Sequence, residues 1–182
     1  MNEAYIVFGH HRTGTSLTMG ILRALGVWIG DDYKMEGPKN PCYFEDNGLI
    51  DFIINRKGTP EAIVNRLSQK QKWGMKLPQL VHYWDRFKDL IPDPRFVITH
   101  RDMDACITSI MRTSGKPRSQ VISEIENTYR LIEEITLGHR RIYIKFERWF
   151  PPEKQLKELS DFVGLAVTHK ALRLPRLRYK HF

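Results

Sequence analysis

Residues 6–17 read "IVFGHHRTGTSL", an apolar run followed by a loop that contains Gly9 and Gly14 and ends in a hydroxyl pair, Thr15 and Ser16. The two glycines, with four residues between them, have the spacing of a phosphate-binding loop. A Walker A loop places lysine directly after its second glycine, whereas this chain places Thr15 there. The stretch therefore predicts a phosphate site that works without the Walker lysine.

The segments on either side of this loop predict the strand and the helix that such a site needs. Residues 5–8 are apolar and predict a short buried strand, and apolar side chains at helical spacing predict a helix over residues 16–25 that Gly26 ends. The first backbone N–H groups of a helix lack partners within it, and the helix dipole leaves partial positive charge there. A turn without a ligand is the alternative, but strand, loop and helix in succession favour an anion site.

The residues of the loop are suited to holding an anion. Gly14 lets the backbone approach a bound group closely, and the hydroxyl groups of Thr13, Thr15 and Ser16 are hydrogen-bond donors. Arg12 is the permanent cation of the loop, and its planar guanidinium can hold two oxygens of one phosphate. We therefore expect Arg12 to supply the positive charge that lysine supplies in a Walker A loop.

The composition of the chain is that of an ordinary soluble globular protein. Its 182 residues are enough for one domain, which we expect to span residues 1–182. No apolar run approaches bilayer length and the N-terminus lacks a signal-peptide pattern, so we expect a cytoplasmic protein without a membrane span. Cys42 and Cys106 have no metal-ligand spacing, and we expect them to be free thiols.

The net charge of +8 is concentrated near the end of the chain. Residues 139–182 contain eleven Lys and Arg residues against four Asp and Glu residues, a difference of +7. The segment from Lys170 onward holds five basic residues and no acidic one. Such a patch can bind nucleic acid, a phosphorylated small molecule or an acidic acceptor, or it can simply be solvated.

Predicted strands alternate with predicted helices along the rest of the chain. The patterns predict strands over residues 73–77, 95–100 and 142–146, and helices over residues 47–56, 59–71, 81–90, 102–111, 118–136 and 153–163. This alternation predicts an α/β fold, a three-layer α/β/α arrangement with a central parallel sheet, whose ligands bind outside the carboxyl ends of the strands. The residues at those ends are the loop at 9–16, Lys76, Arg101 and Glu147.

A second pair of residues suits a phosphate group. Arg101 directly follows the predicted strand at residues 95–100, and Ser109 lies eight residues later, about two turns along the next helix. Both side chains can reach one phosphate if that helix begins beside it. Asp102 is the residue most similar in position to the metal-binding acid of a Walker B motif. Because it directly precedes a predicted helix, a role as helix cap is favoured. Because the sequence shows no acidic constellation typical of a metal site, we expect no metal.

These two motifs resemble the cofactor motifs of the sulfotransferase family, which uses 3'-phosphoadenosine 5'-phosphosulfate (PAPS). The first stands here as residues 11–16, "HRTGTS", and the second as residues 101–109, "RDMDACITS". Further segments similar to the family occur in family order: "CYFED" at 42–46, "WGMKLP" at 73–78, "IKFERW" at 144–149 and "LKELSDFVGL" at 156–165. The resemblance implies a P-loop NTPase-like fold and a PAPS-dependent sulfotransferase.

The resemblance also implies which residues bind PAPS. The first motif holds the 5'-phosphosulfate, which assigns that role to Arg12, Thr13, Gly14, Thr15 and Ser16, and the second holds the 3'-phosphate, which assigns that role to Arg101 and Ser109. Phe146 is a candidate to touch the adenine, although a core position is the commoner role for such a residue. The tail lacks the family's "RKG" segment, so neither Arg173 nor Arg176 is assigned to the 3'-phosphate.

The catalytic residues implied by the resemblance are Arg12, Lys76 and Glu45. The histidine base of cytosolic members is absent, and Lys76 takes its place, where an ammonium group suits bridging the sulfuryl oxygens. Glu45 is similar in position to the glutamate that deprotonates the acceptor in heparan-type members. Alternatively, Glu45 or Asp46 caps the helix that follows. If Glu45 is only a cap, His11 is the next candidate base.

Sulfuryl transfer fits a loop that lacks the Walker lysine. The transferred group bears a single negative charge, so Arg12 and a helix N-terminus can stabilise charge growing on the leaving phosphate oxygen without a metal. One rival is a small-molecule kinase with a degenerate Walker A loop, which lacks the lysine it needs. Another is a nucleotide- or nucleic-acid-binding module, for which the sequence shows no recognition pattern. We expect a small-molecule or glycan acceptor and no nucleic acid; the sequence indicates neither which acceptor nor the oligomeric state.

Overall fold

A four-stranded parallel sheet lies at the centre of the computed structural model, which describes residues 2–33 and 43–179 except for the side chains of residues 176–179. The strands β1 (Glu3–Phe8), β2 (Lys72–Lys76), β3 (Pro94–His100) and β4 (Arg141–Lys145) are arranged in the order β2–β1–β3–β4. Every neighbouring pair is parallel. The predicted three-layer α/β/α fold with a central parallel sheet is confirmed. Among the described residues, no helix combines the length and apolar character needed to cross a membrane.

Both faces of the sheet are buried. Ala4, Ile6 and Phe8 of β1 lie in one hydrophobic cluster, whereas Tyr5 and Val7 lie in the other. Successive residues of a strand point to opposite faces, so a continuous apolar run means that helices cover the sheet on each side. The two cores hold β1 in place, and with it the start of the loop that follows.

Seven α-helices occur in the described part of the chain. They are α1 (Thr15–Leu25), α2 (Asn47–Ile53), α3 (Pro60–Leu67), α4 (Met103–Ser114), α5 (Arg118–Thr136), α6 (Glu153–Val163) and α7 (His169–Tyr179). The bounds of α5 and α6 are those predicted. Gly26 ends α1 and Gly164 ends α6 in the left-handed conformation that glycine adopts readily.

Two predicted helices are shorter than expected. The helix predicted over residues 47–56 ends at Ile53, and Arg56 has a left-handed φ of 59° that no helix accommodates. The helix predicted to reach residue 71 ends at Leu67. Residues 72–76 then form β2, so the chain needs the intervening residues to turn back into the sheet.

The predicted α-helix over residues 81–90 is wrong. This segment forms two 3-10 helices, Pro78–Arg86 and Lys88–Leu90. Proline is tolerated in a first helical turn, where its missing N–H has no partner to lose, so the winding begins at Pro78. The bond from Phe87 N to Trp84 O, at 2.8 Å, is of the i→i+3 type. Apolar spacing alone does not separate this tighter winding from an α-helix.

The final helix was not predicted, because the sequence there was interpreted only by its charge. Thr168 accepts a hydrogen bond from Ala171 N at 3.1 Å and so caps α7. The same hydroxyl donates to the carbonyl of Ala24 in α1 at 2.8 Å. Ala171 is fully buried against the core beneath α1. The start of the basic tail is therefore packed structure, while residues 180–182 lie outside the described residues.

The carboxyl ends of the four strands meet at one edge of the sheet. Val7 pairs with Lys76 across β1 and β2, and Phe8 pairs with Ile98 across β1 and β3. His100 and Lys145 are paired at the ends of β3 and β4. The segments that follow these strands start side by side, which is the arrangement predicted for a ligand site.

Candidate active site

The loop after β1 turns sharply into α1 at Gly14. This residue is the N-cap of α1 and has a left-handed conformation, with φ 94° and ψ 14°. A Cβ atom here would lie 2.6 Å from Cδ2 of Phe146, so both the conformation and the space require glycine. Within the described residues no side chain caps this helix, and its first turn contains no acidic residue. Its first N–H groups are therefore available to an anion.

Thr13 fixes the loop rather than facing outward from it. Its buried hydroxyl donates to the carbonyl of His10 at 2.7 Å and lies 2.9 Å from the hydroxyl of Thr99 in β3. Sequence reasoning missed Thr99, whose only signal was a hydroxyl inside an apolar strand. The contact between Thr13 and a cofactor stays a prediction.

Lys76 brings a cation from the end of β2 to the first turn of α1. Its side chain is 1% exposed. The ammonium group donates to Oγ of Ser16 at 3.0 Å, to Oε1 of Glu45 at 2.6 Å and to the carbonyl of Tyr43 at 3.2 Å. A lysine from the neighbouring strand thus reaches the helix terminus that the loop itself leaves without lysine.

Asp46, not Glu45, caps the helix that follows. The backbone N–H of Leu49 donates to Oδ1 of Asp46 at 3.0 Å. Arg66 of α3 donates to both oxygens of the same carboxylate, at 2.6 and 2.7 Å. The side chain of Glu45 is instead paired with Lys76 and is 14% exposed. The cap and the candidate base are therefore different residues, and Arg66, which sequence reasoning missed, anchors the segment that carries both.

The two motifs that are expected to bind anions are in direct contact. Nε of Arg12 donates to Oγ of Ser109 at 2.9 Å, and Arg101 donates to the carbonyl of Arg12 at 3.2 Å. Arg12 itself has a φ of 71°. A left-handed conformation is uncommon for a residue with a side chain, and such conformations cluster at functional sites. Two guanidinium groups and one hydroxyl group thus lie close together beside the N-terminus of α1.

Arg101 retains an unused donor. Its Nε is buried and has no hydrogen-bond acceptor among the described residues. A buried donor without a partner lowers the stability of the fold, because its hydrogen bond to water is lost and not replaced. An anion bound at this position would supply the missing hydrogen bond. The guanidinium carbon lies 4.6 Å from the ring centroid of Phe146, a cation–π distance. Phe146 belongs to a hydrophobic core and also borders the site; its contact with adenine stays a prediction.

Asp102 is a helix cap, as predicted. It accepts a hydrogen bond from the backbone N–H of Ala105 at 2.9 Å, within the first turn of α4. Its own N–H donates to Oε1 of Glu147 at 3.0 Å, so Glu147 fixes the turn between β3 and α4. Within residues 2–33 and 43–179, no group of three or more His, Cys, Asp or Glu residues could hold a metal ion.

Comparison with protein families identifies the class of protein. A model of the sulfotransferase family matches residues 33–168, more than half of the chain. The chain belongs to the sulfotransferase family. The match begins beyond the loop at residues 9–16. No curated protein sequence matches this sulfotransferase.

Solved sulfotransferase structures share its fold at low sequence identity. The sulfotransferase domain of the Synechococcus PCC 7002 olefin synthase has a TM-score of 0.67 and 19% identity, covering 95% of this chain and 77% of that one. STF9 from Mycobacterium avium has a TM-score of 0.58 and 11% identity, covering 99% and 68%. Mouse SULT7A1, solved as a complex with PAP, has a TM-score of 0.50 and 10% identity, covering 100% and 64%.

The two histidines of the loop in this sulfotransferase have lowered pKa values. His10 is buried, its Nδ1 lies 3.2 Å from the carbonyl oxygen of His11, and burial lowers its pKa. The pKa of His11 is also lowered. The larger cause is desolvation of the side chain by surrounding protein atoms, although the residue keeps some exposed surface. The smaller cause is the repulsion of a protonated ring by nearby charges such as that of Lys76. A lowered pKa keeps an imidazole neutral and able to accept a proton.

Cys106 is a free thiol, as predicted. Its Sγ lies 3.4 Å from the carbonyl oxygen of His11, to which it donates. Burial raises the pKa of this thiol to about 11, so it stays protonated and supports the loop. Cys42, for which a free thiol was also predicted, lies outside the described residues.

Proposed function

We propose that this sulfotransferase takes the sulfuryl group of PAPS and transfers it to a hydroxyl or amine acceptor. The observation that carries the proposal is the contact of Arg12 with Ser109 and Arg101 beside the N-terminus of α1. These residues come from the two motifs expected to hold the two ends of PAPS. The structure of mouse SULT7A1, which has the same fold, contains PAP (adenosine 3',5'-bisphosphate), which is what remains of PAPS after sulfuryl transfer.

The 3'-phosphate is assigned to Arg101 and Ser109. Nε of Arg101 is buried and unpartnered among the described residues, so it can donate to a phosphate oxygen without breaking another bond. The hydroxyl of Ser109 accepts a hydrogen bond from Arg12 and keeps its own proton to donate. Arg12 and the N–H groups at the start of α1, including those of Thr15 and Ser16, are assigned to the 5'-phosphosulfate.

Lys76 and Ser16 are assigned to the reacting end of the cofactor. When bound, PAPS supplies a sulfuryl group joined to a phosphate that can depart. The buried ammonium group of Lys76 lies 3.0 Å from Oγ of Ser16, so it adds positive charge where the helix dipole is also positive. Donors fixed beside the position where negative charge develops stabilise the transition state more than the ground state.

Glu45 is assigned the role of general base. Its carboxylate is held 2.6 Å from Lys76 and has no part in capping α2. In the proposed step the acceptor oxygen or nitrogen forms a bond to sulfur while the bond from sulfur to the phosphate oxygen breaks. The acceptor proton passes to Glu45, and the products are the sulfated acceptor and PAP. Glu45 then returns its proton to solvent.

A thermal-shift comparison tests the proposed function. PAP in the presence of EDTA should raise the melting temperature, because Arg12, Arg101 and Lys76 supply the positive charge that the cofactor needs. Mg-ATP and a short single-stranded oligonucleotide should raise it less at the same concentration. Stabilisation by Mg-ATP alone would support the kinase instead, and stabilisation by the oligonucleotide alone would support a nucleic-acid-binding module.

A further inference from the structure

A cavity of about 420 Å³ opens beside the phosphate loop. Its wall is formed by His10, His11 and Arg12 of the loop, the 3-10 helix Pro78–Arg86, the end of α4 and one face of α5. The volume falls within the range of about 300–1,000 Å³ that small-molecule sites occupy. We refer to it as the loop cavity.

The position of the loop cavity suits the acceptor of the proposed reaction. It shares Arg12 with the proposed cofactor site, so a molecule in it lies beside the group that the loop holds. A second cavity, which includes Trp28 and Lys70, also includes Lys72 at the amino end of β2. That end of the sheet is opposite the loop. Of these two cavities, the loop cavity is the one from which an acceptor can reach the sulfuryl group.

Most of the described residues that line the loop cavity are polar. Thr113, Asn127 and His82 are exposed, and Gln79 has a buried side-chain oxygen without a partner among the described residues. Pro78 and Ile110 are the apolar members of the described lining. The side-chain NH₂ group of Asn127, whose Oδ1 already accepts from Arg130, and the ring of His82 can form hydrogen bonds with hydroxyl groups of a ligand but not with a fused aromatic ring.

The described wall presents little net charge to a ligand. Nζ of Lys116 donates to both carboxylate oxygens of Glu124, at 2.8 and 2.9 Å, so these two charges offset each other. Burial lowers the pKa of His10, which disfavours a positive charge on its ring. Arg12, the remaining permanent charge, is engaged with Ser109 and assigned to the cofactor. The wall therefore suits a neutral ligand better than an anion or a cation.

We infer that the loop cavity binds a neutral polyhydroxylated acceptor, a saccharide, and that one of its hydroxyl groups receives the sulfuryl group. This inference rests on the proposed function, because it requires the cofactor in the adjacent site. The acceptor oxygen forms a bond to sulfur, the bond from sulfur to the phosphate oxygen breaks, and the hydroxyl proton passes to the general base. The products are a saccharide sulfate and PAP, with no change of oxidation state.

The first arm of the test compares ligand classes by NMR titration of the PAP-loaded protein. The probes are four neutral disaccharides (cellobiose, maltose, lactose and trehalose) and 2-naphthol. At least one disaccharide should bind and shift the backbone amide resonances of Thr113 and Asn127, and it should be sulfated when PAPS replaces PAP. Failure of all four to bind, or tighter binding of 2-naphthol, overturns the inference.

The second arm compares two matched variants. Asn127→Ala removes a side-chain amide from the wall, and one lost hydrogen bond should weaken the binding of that disaccharide roughly five- to tenfold. Asn65→Ala makes the same change on an exposed face of α3, away from the cavity, and should leave the affinity unchanged. Equal effects of the two variants overturn the inference. Loss of PAP binding in the parent protein overturns the proposed function as well, whereas PAP binding with a preference for 2-naphthol overturns the saccharide inference alone.

Discussion

Nε of Arg12 donates to Oγ of Ser109 at 2.9 Å, across a separation of 97 positions in the sequence. This bond joins the loop that follows β1 to the helix that follows β3. Arg101 strengthens the connection by donating to the carbonyl oxygen of Arg12 at 3.2 Å. The two motifs therefore lie side by side, as the proposed binding of a ligand with two phosphate groups requires.

Arg101→Ala should weaken the binding of PAP much more than that of 5'-AMP. The variant removes a charged donor assigned to the 3'-phosphate, a loss of typically ~1.5–3 kcal/mol. Isothermal titration calorimetry with the two nucleotides measures the difference. Arg112→Ala removes an exposed arginine from the last turn of α4, the helix that follows Arg101, and serves as the control. If Arg101→Ala weakens both nucleotides equally, Arg101 does not recognise the 3'-phosphate.

Glu45→Gln should lower turnover by roughly 10²–10⁴-fold, the usual contribution of a general base, and leave PAP affinity almost unchanged. Asp46→Asn makes the same chemical change one residue later, where the carboxylate caps α2 and binds Arg66. That control should lower the melting temperature while the folded enzyme keeps its turnover. Turnover is measured with whichever acceptor supports transfer. Unchanged turnover in Glu45→Gln would remove Glu45 as the base and direct attention to His11.

Lys76→Met should lower turnover by about 10²–10³-fold, because it removes a fixed charge beside the reacting group. Since Lys76 and Glu45 are hydrogen-bonded at 2.6 Å, the effects of Lys76→Met and Glu45→Gln should not add in the double variant. Lys72→Met, at the other end of the same strand, is the control. It removes a partner of Glu3, so stability should fall and turnover should not. Equal turnover losses in the two lysine variants would contradict the assignment.

The stability contributed by Glu3 should disappear in acid. Burial alone would raise the pKa of this carboxyl, but hydrogen bonds from Lys72 and Tyr5 and the charge of Arg95 lower it from 4.5 to about 2. Because the folded-state pKa is the lower one, ionised Glu3 stabilises the fold above about pH 4.5 and loses this effect as the pH falls towards 2. After allowance for solvent screening the effect is roughly 1–2 kcal/mol.

Urea unfolding of the wild type and of Glu3→Gln at pH 7 and pH 3 measures this effect. The difference in the free energy of unfolding should be larger at pH 7 and smaller at pH 3, where the unfolded carboxyl is protonated. A difference that does not change with pH would mean that Glu3 stabilises the fold by packing rather than by charge.

The elements with strong local signals could be predicted from the sequence. Glu153–Val163 has apolar spacing and a terminal glycine, and its bounds were correct. The 3-10 helix Pro78–Arg86 could not be distinguished, since its apolar residues fit either winding. The helix His169–Tyr179 was missed because an internal proline, Pro175, and a high content of basic residues are not typical of a packed helix. The segment is stabilised by a tertiary contact, the hydrogen bond from Thr168 to α1.

Contacts between distant segments limited the prediction of the site. The sequence indicated Lys76 and Glu45 separately, but their pairing depends on how residues 43–46 pass β2. Two adjacent carboxylates, Glu45 and Asp46, fit a helix cap equally well in the sequence. The position of Arg66 in α3 determines which of them is the cap. Such choices follow from tertiary packing and not from local pattern.

The most direct test is calorimetric titration of the wild-type protein with PAP and with 5'-AMP, both in EDTA. PAP should bind at least tenfold more tightly without metal, because Arg101 and Ser109 add contacts that only the 3'-phosphate can make. Equal affinities for the two nucleotides, or binding that appears only when Mg-ATP is supplied, would contradict a PAPS-dependent sulfotransferase.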